Sequence, residues 1–177
     1  MDINKMTEER HELLTRMRDS LQEELIACDI RQPENEGEPE ILMAVIDGIG
    51  ESGEMEGTIG EFYFIPPSSK EDTVQHFCAT LTIADELKEE FLPPLFEAMS
   101  YVNFNIPCGS FSVDKDRSML SFRLVTPLSA GLSGEDLLLQ MNISMANAFA
   151  SADLYADELI KVSGGEKTVE DIRGILA

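Results

Sequence analysis

The spacing of apolar residues changes several times along this chain, and each change marks an element. From Thr7 to about Cys28, Leu14, Met17, Leu21 and Leu25 recur at helical intervals, with Leu13 and Ile26 widening the stripe, which predicts an amphipathic helix. Thr7 offers a cap, but Arg10 stands where a capping box needs Glu or Gln. Glu12 and Arg16 fall at i,i+4 on the opposite face, a pair worth roughly 0.3 kcal/mol. Arg31–Glu40 carries Pro33, Gly37, Pro39 and four glutamates, a composition that predicts an exposed connection.

The period then shifts toward two. Ile41–Ile46 is a continuous apolar run and reads as a strand covered on much of both faces. Asp47–Gly60 is dense in glycine (Gly48, Gly50, Gly53, Gly57, Gly60) and includes Glu51, Glu54 and Glu56, which predicts an irregular or long hairpin connection. It lacks the Gly-Lys-Ser/Thr ending of a phosphate loop, and its glutamates would repel a nucleotide. In Glu61–Ile65, Phe62 and Phe64 share one face while Tyr63 and Ile65 share the other; Pro66 and Pro67 stop the strand, and Lys70–Asp72 make a turn. Val74–Ala84 alternates most cleanly, with Phe77, Ala79, Leu81 and Ile83 opposite His76, Cys78, Thr80 and Thr82. Three strands joined without room for crossover helices form an antiparallel meander.

Asp85–Asn105 carries the adjacent Pro93 and Pro94. Two missing amide donors suit the first turn of a helix better than its middle. Of two arrangements, one kinked helix over Glu86–Phe104 or a short turn over Asp85–Leu92 leading into a helix starting near Pro93, the second is preferred, with Leu95, Phe96, Met99 and Val102 inward. A hairpin follows, Gly109–Val113 and Ser118–Pro127, joined by Asp114–Arg117. Ser133 with Asp136 starts a long helix to Lys161 or Val162, whose inner face uses Leu137, Met141, Met145 or Ser144, Ala148, Ala152, Tyr155 and Leu159. Gly164-Gly165 ends it, and Thr168 with Asp171 caps a last short helix. The pattern predicts an α+β domain over residues 1–162 in the order α-β-β-β-α-β-β-α. It has a mostly antiparallel five-stranded sheet with helices packed on it, and residues 163–177 form a flexible or short helical tail.

Charge narrows the partners. The chain of 177 residues has 34 acidic residues against 13 basic ones, a formal net charge of −21. The excess lies early: residues 1–40 hold twelve acids against five bases, 41–100 twelve against two, and 101–177 ten against six. Nucleic acid and anionic membrane surfaces are therefore disfavoured as partners, whereas a basic protein partner is compatible. The N-terminal residues lack the basic and apolar regions of a secretory signal, and no apolar run reaches the length of a membrane span. Cys28, Cys78 and Cys108 are odd in number and unpaired in spacing, which points to reduced thiols and a cytoplasmic location.

Candidate chemistry is sparse. His11 lies among helix charges, and His76 shares a strand face with Cys78; neither has a local ligand set for zinc. The pair also lacks an orienting group for nucleophilic catalysis. Asp114–Ser118 begins like a calcium loop, but Met119 and Val125 occupy the positions that require glycine and glutamate. No catalytic residue, cofactor or metal is expected.

Asn103-x-Asn105-x-Pro107-x-Gly109-x-Phe111, a strand ending near Thr126-Pro127 and a long Ser133-capped helix together resemble the YbjN-like family of small bacterial proteins. The order of elements is also similar to class I type III secretion chaperones. The resemblance implies a non-enzymatic, chaperone-like or regulatory module, with Asn103 or Asn105 fixing the helix–strand junction and Gly109 turning the chain into the sheet. The Pro93-Pro94 pair, the glycine-rich connection and the low basic content depart from that pattern.

The apolar faces of five strands and three helices exceed what one layer shields. Tyr63, Ile65, Leu132, Met141, Met145 and Ala148 are accordingly the candidate surface for a homodimer or a protein client. The alternative is a small-ligand sensor with its pocket between the sheet and the Ser133–Lys161 helix.

Overall fold

The computed structural model describes residues 3–35, 37–47, 57–67, 74–129 and 131–176. Gly48, Gly50, Gly53 and the three glutamates among them, with the Lys70–Asp72 turn, lie outside the described residues. Among the described residues the chain forms five α-helices and a six-stranded antiparallel sheet. In chain order these are α1 (Ile3–Glu23), β1 (Ala27–Arg31), β2 (Ile41–Ile46), β3 (Thr58–Phe64), β4 (Val74–Ala84), α2 (Leu92–Asn105), β5 (Ser110–Asp114), β6 (Met119–Ser129), α3 (Gly134–Asp153), α4 (Ala156–Ser163) and α5 (Val169–Leu176). The strand order is β1-β2-β3-β4-β6-β5.

The sheet therefore has six strands, where the apolar pattern predicts five. The extra strand, β1, lies where the first helix was expected to finish. α1 ends in a Schellman arrangement: the Leu25 amide donates to Gln22 O at 3.0 Å and the Ile26 amide to Leu21 O at 3.0 Å. Leu25 adopts φ +64 in the position usually held by glycine, and its side chain is 93% exposed. The apparent stripe thus ends at Leu21, and Ala27–Arg31 pairs antiparallel with β2, from Ala27 opposite Val45 to Arg31 opposite Ile41. β2 is half-covered rather than covered on both faces, since Leu42 and Ala44 are buried but Val45 is exposed.

The long helix also divides. Ser133 caps α3: its hydroxyl donates to Asp136 Oδ2 at 2.6 Å and accepts from the Asp136 amide at 3.2 Å. The helix then stops at Asp153, because Tyr155 leaves helical geometry (φ −139, ψ 1). Its amide turns back to Ala152 O at 3.2 Å, and α4 restarts at Ala156. Pro93 and Pro94 occupy the first turn of α2, after a 3-10 turn over Glu89–Phe91. Phe96, expected inward, is exposed, whereas Leu95, Ala98, Met99 and Val102 are buried.

Two compact units result. The first comprises Met1–Ile46, Ile59–Ala79 and Val125–Ala146. Its buried side chains include Leu14 and Met17 of α1, Leu42 of β2, Phe62 and Phe64 of β3, and Leu137 and Met141 of α3. Phe64 meets Phe77 edge-on, with ring centroids 5.6 Å apart. The second comprises Asp47–Thr58, Thr80–Leu124 and Asn147–Ala177. There α2 packs against β5, α4 and α5. The Thr168–Asp171 cap starts α5, with the Thr168 hydroxyl donating to Asp171 Oδ2 at 2.7 Å, and Ile172 is buried.

Candidate functional site

In the second unit the three junction residues take different roles. Asn103, on α2, uses both ends of its carboxamide on one strand residue: Nδ2 donates to Phe111 O at 3.1 Å and Oδ1 accepts from the Phe111 amide at 2.8 Å. Such a pairing imitates a neighbouring strand and satisfies polar backbone groups of β5 at a residue that is 2% exposed. Asn105 instead donates to Tyr101 O within its own helix, at 2.9 Å. Gly109 has φ +75, and a Cβ there would lie 2.4 Å from the Phe122 ring and 2.9 Å from Arg123 O. No larger side chain fits without displacing the Phe111–Phe122 edge contact, whose centroids are 5.1 Å apart.

The candidate interface residues separate by burial. Met141 and Ala148 are fully buried and belong to internal packing, so neither is open to a partner in this conformation. Tyr63, Ile65, Leu132 and Met145 are half-buried. The large apolar residues that α3 leaves open are Leu139 and Ile143, one turn apart and 56% and 43% exposed. Between Asp136 and Asp153 this helix has no charged residue. Ser144, by contrast, is buried and shares a 2.6 Å hydrogen bond with Thr126. The α3 residues that the sequence pattern offers as an interface, Met141, Met145 and Ala148, thus lie on or beside its inner phase, whereas the uncharged outer phase carries Leu139 and Ile143.

A groove of about 380 Å³ lies in the first unit. One face of α1 supplies Thr7, Arg10 and Leu14; Pro33 and Gly37–Glu40 come from the β1–β2 connection, and Phe64, Pro66 and Pro67 from the end of β3 and beyond. It takes no lining residue from Ser133–Lys161, so this pocket lies elsewhere than the one expected against the long helix. Arg10 Nε donates to Gln75 Oε1 at 2.8 Å, and its guanidinium sits 5.1 Å from the centre of the Phe64 ring. Burial pushes the Arg10 pKa down, partly countered by Glu9. The two carboxylates of the groove are engaged locally: Glu40 with His11 Nδ1 at 3.0 Å, and Glu38 with the amides of Glu34 and Asn35 and with Asn35 Nδ2. Those bonds, the Asn35 side chain first, hold Glu38 below the usual carboxylate range.

The remaining chemical candidates do not converge. Among the described residues no group of three or more His, Cys, Asp or Glu is arranged to hold a metal ion. His76 is exposed while Cys78, two positions on, is buried. Asp114 Oδ1 accepts from the amides of Asp116 and Arg117 at 3.0 and 3.1 Å, which closes the hairpin turn. No helix among the described residues is long and apolar enough to cross a membrane.

No family model matches the chain, and no curated protein does. Among the solved structures with similarity to it are the following two. One is YbjN of E. coli, a proposed transcription regulator, at 14% identity and TM-score 0.41 over 80% of this chain and 92% of that one. The other is an uncharacterised protein of Methanothermobacter thermautotrophicus, at 13% identity and TM-score 0.43 over 84% and 96%.

Proposed function

We propose that this protein is a non-enzymatic, chaperone-like or adaptor module that works as a homodimer and meets a protein partner through its acidic surface. The observation that carries the reading is the outer face of α3, where Leu139 and Ile143 stand open on a helix without charge from Leu137 to Ala152. Interface cores are depleted of charge, whereas solvated helix faces are not. With a formal charge of −21 on each copy, two copies repel each other least where both lack charge. The occupant that fits this face is therefore a second copy of the chain.

The size of the face sets the strength of the dimer. A helix of 20 residues is about 30 Å long, and one face of it buries less than the roughly 800 Å² per partner of a standard interface. The dimer is therefore weak and depends on concentration. Light scattering on the full chain and on Ile143→Glu tests it. The reading expects a mass that rises with concentration in the parent and stays at one chain in the variant. Equal masses at all concentrations would overturn it.

A further inference from the structure

We infer that the Arg10 groove of the first unit is a binding site for a small monocarboxylate with an apolar body. The inference is independent of the α3 dimer. At about 380 Å³ the groove is within the size range of small-molecule sites, which pair mostly apolar walls with a few fixed polar groups. Pro33, Pro39, Pro66 and Pro67, with Leu14 and Phe64, form the apolar wall. Arg10 is the fixed polar group.

Its fixation is structural. Gln75, which is 3% exposed, holds Nε, and the Phe64 ring supports the guanidinium plane. One donor is thereby used, while Nη1 and Nη2 have no carboxylate within ion-pair distance among the described residues. A planar guanidinium with donors left over matches a carboxylate in geometry. A carboxylate would also offset the desolvation that burial imposes on Arg10.

Charge limits the ligand to one negative unit. Glu38 and Glu40 line the same groove, and each already has partners of its own, so neither takes up the Arg10 charge. Their presence, on a chain of net −21, opposes a phosphate ester with two charges more than a carboxylate with one. The prolines, Leu14 and Phe64 offer no hydrogen-bonding side chain, and the wall they form suits an aliphatic or aromatic body.

The test is a calorimetric and NMR titration of the full-length protein with octanoate, using octan-1-ol and octyl phosphate as controls. Octanoate is expected to bind with a dissociation constant of about 1 mM or below and to shift the amide resonances of Thr7 and Gly37. Arg10→Met, which keeps the apolar stem, should weaken it roughly tenfold or more, and Arg10→Lys should weaken it less. Both controls should bind more weakly than octanoate. If Arg10→Met unfolds, the Lys variant and the parent's resonance shifts still decide the matter. Failure of octanoate to bind, equal affinity in the Met variant, or equal binding of octan-1-ol would overturn the inference. A dimer unaffected by any of these ligands leaves the α3 reading intact.

Discussion

α1 and α3 are nearly equal in length, 21 and 20 residues, and both bury one apolar stripe, yet their outer faces differ. α1 exposes Lys5, Glu8, Glu12, Asp19 and Glu23, the composition of a face kept in water. α3 exposes Leu139, Gln140, Ile143 and Ala146, with its acids confined to Glu135, Asp136 and Asp153 at the ends. Helix propensity does not require the difference, since Leu and Ala are as good helix formers as Glu and Lys. In so acidic a chain, the lack of charge over four turns marks the side of α3 that is not optimised for solvent.

The most direct way to break this comparison is to give α3 the surface of α1. Leu139→Glu with Ile143→Glu is expected to raise the dimer dissociation constant by about 100-fold or more, because two like charges would be buried in each copy's half of the contact. Analytical ultracentrifugation reads it. The complementary change, Glu12→Gln on α1, should leave the mass unaltered.

Positions that hold the fold sharpen the contrast from the other side. Asn103→Ala removes both partners of the Phe111 backbone and is expected to cost about 2–4 kcal/mol in urea unfolding. Asn103→Asp loses the donor and retains an acceptor, so it should fall between. Gly109→Ala forces a Cβ against Phe122 at φ +75 and should cost roughly 1–3 kcal/mol. At temperatures where these variants stay folded, their dimer dissociation constant should match the parent's. A shift comparable to that of the α3 variants would erase the distinction between the open face and the closed core.

The smallest effect lies in α5. Hydrogen bonds from the Thr168 amide and hydroxyl lower the Asp171 pKa, so its cap stabilises the native state above the ordinary aspartate range, about 3.9. That contribution is lost as pH falls through the depressed folded value. Melting curves of the parent and Asp171→Asn should differ near pH 6 and converge in acid. A constant difference down to pH 2 would exclude the assignment.

Much of this fold is legible in the chain because local chemistry and tertiary structure agree. Pro93-Pro94 begin α2, Ser133–Asp136 and Thr168–Asp171 cap their helices, and the Phe111 and Phe122 alternation sets the hairpin, paired from Ser110–Arg123 to Asp114–Met119. α4 ends in a Schellman arrangement around Gly165 (φ +77), with its amide on Val162 O and that of Glu166 on Lys161 O. α1 ends in the same arrangement around Leu25, and without a glycine to signal it the helical pattern runs on to about Cys28, two residues into β1. Leu154-Tyr155 likewise breaks the helix without Gly or Pro. The groove was hidden for a different reason: Arg10, Pro33, Phe64 and Pro66 become neighbours only through the fold, and no periodicity connects them.

The account rests most heavily on α3 facing a second copy, and sedimentation equilibrium of the unmodified chain tests that most directly. The prediction is a weight-average mass that rises from 19.6 kDa toward twice that value as concentration increases from about 1 to about 500 μM, the range in which a weak interface populates. A mass of 19.6 kDa throughout would contradict it.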